Sequence, residues 1–232
     1  MATPLALAFL ATFGHAAPVL RDTPGAPAGT AGIETIVMRL SPDRLVHLHG
    51  GIWALIIKES TQEQAHFLQG AIAVAYLQKS QEAWSLLHLW PEIAKSGSFG
   101  EPANGGEKIY SFGTSPLYVA TGEHCGMDAC SATLAAISLD TPGPHFLGTI
   151  YGGAAFPAEG DPLFDTCESY KFTATISPPT LAGAAFSVTY AGWRAPAGKL
   201  VPKTYFRYFE NALPNSSGLR LSPKFPVPDC AR

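Results

Sequence analysis

The chain has 232 residues, only 14% of them Asp, Glu, Lys or Arg, and a formal net charge of -3. Charge this sparse and balanced provides no basic stripe to neutralise phosphates, which argues against nucleic acid as a partner. No stretch of about 20 apolar residues occurs, so no membrane-spanning helix is expected, and the length suits one large domain or two small ones with a substantial core.

The N-terminus reads as an export signal over residues 1–16. Pro4 to Phe13 is almost wholly apolar, and Gly14-His15-Ala16-Ala17 places small residues where a signal peptidase cuts. Cleavage after Ala16 fits better than after Ala17, because Pro18 would follow the later cut. No Lys or Arg precedes the apolar stretch, so the α-amino group alone supplies the positive charge. Residues 17–32 are rich in Pro, Gly, Ala and Thr and read as a linker.

From Ile33 the text becomes short apolar runs broken by turn residues. Ser41-Pro42-Asp43, His49-Gly50-Gly51, Asn104-Gly105-Gly106 and Pro142-Gly143-Pro144 are the clearest breaks. That rhythm predicts a single mainly β domain over 33–232, with a candidate sub-boundary near 157–165. The expected fold is all-β: an antiparallel meander, sandwich-like or a partly open barrel, with at most one helix.

Residues 61–96 are ambiguous between helix and strand. Gln, Glu, Ala and Leu favour a helix, and Leu68, Ile72 and Ala75 have helical spacing. Ile72, Val74 and Tyr76 nonetheless alternate with Ala71, Ala73 and Ala75, and Trp84, Leu86, His88 and Trp90 share one parity around Lys79-Ser80-Gln81. Two strands are therefore expected. A weak echo at a shift of 64 places Trp53 to Ile57 on Leu117 to Thr121, Glu59 on Glu123, His66 on Cys130 and Ala71 on Ala135, suggesting two similar strand units. Further strands are expected at Val119, at Ile150, along Tyr170/Phe172/Ala174/Ile176, along Phe186/Val188/Tyr190, and from Tyr205 to Phe209.

Cys125, Cys130, Cys167 and Cys230 form an even set, as expected for two disulfides in an oxidising compartment. Of three possible pairings, Cys125 with Cys130 closes a tight turn, leaving Cys167 with Cys230. A four-cysteine zinc site is disfavoured because no C-x2-C pair occurs.

Candidate chemistry is thin. His47 and His49 form H-x-H, and residues two apart on a strand share a face, as metal-gripping imidazoles must. His66, His88, His124 and His145 are the available third ligands, at distances that identify no metal class. Gly97-Ser98-Phe99-Gly100 falls one residue short of a nucleophile elbow. A cysteine in a disulfide has no thiolate for His124 to activate. Glu159, Asp161, Asp165 and Glu168 read as an acidic loop around Cys167, not as a calcium loop. Asn215-Ser216-Ser217 matches a glycosylation sequon. No cofactor is implied.

The aromatics give the best alternative to chemistry, although core packing in strands explains most of them. Tyr205, Phe206, Tyr208 and Phe209, with Trp53, Trp84, Trp90 and Trp193, offer flat rings for sugars or a partner protein, and Trp193, Tyr205 and Tyr208 make the candidate patch. The expected function, resting on the missing catalytic motifs as much as on any feature present, is that of an exported, periplasmic or secreted, non-catalytic β protein acting by binding. The alternative is a metal-dependent hydrolase using His47 and His49.

Overall fold

The computed structural model describes residues 3–14, 20–24, 35–61, 69–81, 83–97, 100–102, 107–112, 115–125, 130–156, 164–177, 186–215 and 218–220. Among these residues it is a mostly antiparallel β structure of two sheets with a single α-helix, as expected. The first sheet contains β1 (Leu20–Pro24), β2 (Thr35–His47), β3 (Ile52–Thr61), β4 (Gly70–Ser80) and β5 (Ala83–Ser96), side by side in chain order. The second contains β6 (Lys108–Phe112), β7 (Ser115–Cys125), β8 (Cys130–Asp140), β9 (Gly143–Phe156), β10 (Ser169–Ser177), β11 (Phe186–Ala195), β12 (Thr204–Asn215) and β13 (Gly218–Arg220), again in chain order. Within each sheet every strand pairs with its chain neighbours, the meander that closely spaced turns favour.

Residues 61–96 hold two strands where composition favoured a helix. Burial explains this: all of β4 from Gly70 to Leu77 is buried, so Ile72, Val74 and Tyr76 serve one core and Ala73, Ala75 and Leu77 another. A strand buried on both faces is apolar throughout and loses the polar half of its alternation. Ser41-Pro42-Asp43 is not a turn, contrary to expectation. It lies inside β2, where the register with β3 shifts between Pro42 and Arg44, and a bulge accommodates the proline, which cannot donate to the ladder. Within the expected linker, Leu20–Pro24 pairs with Thr35–Arg39. Residues 157–163 of the candidate sub-boundary lie outside the described residues, and β9 and β10 on either side of it pair within one sheet.

Three apolar clusters hold these layers together. Between the sheets lie Ala54, Ile56, Ile72, Val74 and Tyr76 from the first and Tyr118, Ala120, Ala135, Ile137 and Leu139 from the second. Leu117, Val119, Ile150, Tyr170, Phe172, Val188 and Tyr190 fill the other side of the second sheet, which curls so that β13 approaches β9 without pairing with it. The third cluster joins the helix α1 (Pro4–Phe13) to the first sheet, with Ala8 and Phe9 against Leu40, Leu55, Ile57, Ala73, Ala75 and Leu77. Thr3 caps α1 by accepting from the Ala6 amide at 3.2 Å, and Gly14 ends it in the left-handed conformation.

The weak echo falls on real strands. At that shift β3 aligns with β7 with the same face inward, Ala54 and Ile56 matching Tyr118 and Ala120 of the inter-sheet core. It fails at the next strand, because Ala135 faces that core and Ala71 alternates with core-facing Ile72.

Candidate functional site

One polar group links several strands and was not revealed by the sequence. The bulge in β2 re-aims Asp43, a common consequence of one extra residue in a strand. Tyr118 of β7 donates its hydroxyl to Asp43 Oδ2 at 3.0 Å, and Lys58 of β3 lies 3.3 Å from Asp43 Oδ1 while donating to Glu107. Arg44 Nη2 donates to the Glu107 carbonyl at 3.1 Å. The group therefore ties β2, β3 and β7 to the segment preceding β6. Burial pushes the Tyr118 hydroxyl far above its ordinary pKa, and the Asp43 charge adds to the effect. For Lys58, burial works to lower the pKa, but the hydrogen bond to Glu107 and the Asp43 and Glu107 charges outweigh it and raise it. A nucleophilic lysine needs the opposite shift. Asp43 and Glu107 share one ammonium, so the cluster acts as an electrostatic brace between the sheets.

His47 and His49 line an open cleft of about 540 Å³ with Tyr110, Ser111, Ser115 and Pro116. Contrary to expectation, they do not share the face of one strand: β2 ends at His47, and His49 begins a short 3-10 turn, with buried Leu48 between them. The His47 ring lies 4.7 Å from that of Trp53. Of the other histidines, His88 sits 4.2 Å from the Trp90 ring and His145 is exposed on β9, whereas His66 and the side chain of His124 lie outside the described residues. Among the described residues no three His, Cys, Asp or Glu side chains gather as metal ligands. His47→Ala is expected to change stability by no more than about 0.5 kcal/mol, as exposed substitutions do, and to leave bound metal unchanged. Unfolding curves and elemental analysis of both proteins check this.

The candidate aromatic patch divides between two faces. Tyr205 pairs with Trp193 across β11 and β12, so both point outward from the second sheet. Tyr208 has the opposite parity: it pairs with core residue Tyr190, and its ring lies 5.5 Å from that of Phe206, which packs on the same core. Its place on the outer face is taken by Phe209, a residue that period-2 spacing from Tyr205 could have indicated. Tyr205 is 76% exposed and Phe209 67%. Lys203 Nζ lies 4.3 Å from the Trp193 ring centre, and the Arg207 guanidinium 5.1 Å from that of Phe209.

Cys125 and Cys130 are register partners at the head of the β7–β8 hairpin. Cys167 is buried beside Thr166, and no free thiol is found among the described residues. Cys230 lies outside them, as does most of the acidic stretch around Glu159 and Asp161. Comparison with protein-family models, with curated proteins and with solved structures finds no match for this chain.

Proposed function

We propose that this is an exported β protein that acts by binding a protein or a glycan, not by catalysis, through the outer face of β11 and β12. The observation that supports the reading is the exposure of Tyr205 and Phe209 beside Trp193, on a sheet whose opposite face is packed. Fully burying a Phe-sized side chain stabilises a fold by about 1.5 to 3 kcal/mol, so two large rings left in water forgo a real gain. Large rings exposed together with cations on one sheet face support an interaction site there.

Export rests on the apolar Pro4 to Phe13 run and the small residues after it. Disulfides joining Cys125 to Cys130 and Cys167 to Cys230 belong to the same reading, since such bonds persist in oxidising compartments. Register pairing at the head of β7 and β8 favours the first of them. A peptide map made without reduction is expected to contain both linked fragments, and one joining Cys125 to Cys167 would reject the pairing.

The binding reading is tested with the double variant Tyr205→Ala/Phe209→Ala and three probes: polygalacturonate, a neutral glucan and poly-glutamate. The variant is expected to melt within about 2 °C of the parent, because both side chains are exposed. It should lose whatever probe binding the parent shows. Binding of none of the three by the parent, or equal binding by the variant, would defeat the reading.

A further inference from the structure

On its outer face β12 and the residue before it present Lys203, Tyr205, Arg207 and Phe209, so cation and ring alternate at the two-residue period of an extended chain. At about 3.4 Å per residue, the two cations are spaced by about 14 Å, as are the two rings. Across the sheet, Tyr205 neighbours Trp193 and then Lys171, Arg207 neighbours Ala191 and Thr173, and Phe209 neighbours Thr189 and Thr175. None of these positions carries a carboxylate, although the chain as a whole is net negative at -3. The opposite-charge cross-strand partners that often stabilise a sheet are missing here.

The rings are also not equivalent. Lys203 lies over Trp193 and Arg207 over Phe209, which positions both cations, whereas Tyr205, the most exposed large apolar side chain among the described residues, lies between them at 76% exposure. From this arrangement, and resting on the reading of this face as a binding surface, we infer that the ligand is an acidic polysaccharide. Its sugar rings stack on Tyr205, its carboxylates meet Lys203 and Arg207, and Thr173, Thr175 and Thr189 offer hydroxyl partners. A neutral glycan would leave the cations unanswered. An acidic peptide would answer them but would bring no flat ring to Tyr205.

Titration of the full chain with polygalacturonate tests the inference. Arg207→Gln and Tyr205→Ala are each expected to weaken binding about tenfold, the loss of one charge-assisted contact or one stacked ring. Raising NaCl from about 50 to about 300 mM should weaken it comparably, by screening exposed charges. Equal affinity for the neutral glucan, or no effect of salt and Arg207→Gln, would reject the acidic ligand while leaving the binding surface intact. So would binding of poly-glutamate without polygalacturonate. Binding of no probe would reject the inference and the surface together.

Discussion

Replacing Lys58 by alanine is expected to lower the unfolding free energy by about 3 kcal/mol, because two nearly buried carboxylates lose their shared counter-charge. The Asp43 and Glu107 side chains are 11% and 7% exposed, and Lys58, at 20%, keeps some contact with water. That contact places the effect at the lower end of what breaking a buried pair costs. Lys58→Met should be destabilised similarly although it keeps most of the aliphatic stem. Adding Asp43→Asn and Glu107→Gln to Lys58→Met should recover much of the loss, since no nearly buried carboxylate then lacks its ammonium, and the Arg44 charge left behind is half exposed and keeps its bond to the backbone carbonyl of residue 107. Chemical denaturation of the variants measures this, and an unchanged midpoint for Lys58→Ala would show that the brace holds nothing.

Two members of this group, together with Tyr76, set an alkaline limit. The hydroxyls of Tyr118 and Tyr76 are raised by burial, then by Asp43 and Asp140 respectively, and Lys58 is raised by its carboxylate partners against burial. Each folded pKa therefore lies above its unfolded value of about 10. Stability from such a group is complete below the unfolded pKa and is lost as pH rises toward the folded one. The melting temperature should be level to about pH 9 and fall above about pH 10, less steeply in Tyr118→Phe.

Removing residues 1–16 is expected to cost about 4 kcal/mol, roughly the burial of two large apolar side chains. Phe9 and Ala8 of α1 are buried, and their loss uncovers Leu40, Leu55, Ile57, Ala73, Ala75 and Leu77 on the first sheet. Yet α1 is not built as an ordinary surface helix. It is apolar all round and leaves Leu7 39% exposed, as suits a leader more than an amphipathic cover. If export removes it, the chain beginning at Ala17 has an apolar face to protect that its precursor does not. That chain is expected to bind a hydrophobic dye and to self-associate in sedimentation, while the full chain does neither. N-terminal sequencing of exported protein shows which form exists: a start at Ala17 supports processing, and an intact Met1 shows that α1 remains part of the fold.

The strands were most legible where one face is packed and the other wet. Tyr170 to Ile176 and Phe186 to Tyr190 alternate because one parity enters the core of the second sheet. Residues 61–96 were harder, because β4 is buried on both faces and its alanines imitate a helix. The bulge at Asp43 was hidden by a Pro-Asp pair that resembles a turn. The brace was illegible for a different reason: Lys58 and Glu107 are 49 positions apart and Asp43 and Tyr118 75, and no local spacing encodes such contacts. The aromatic patch was half legible. Trp193 and Tyr205 share a face, but strict period-2 counting separates Tyr205 from Tyr208 and selects Phe209 instead.

Hydrogen exchange of the full chain with and without polygalacturonate tests most directly whether the outer face of β11 and β12 is the binding surface. Added protection is expected in β12 (Thr204–Asn215) and in the adjoining β11 (Phe186–Ala195), with the cleft at His47 to His49 unchanged. Protection centred on that cleft, or no change in β12 under conditions where the probe is bound, would contradict the account.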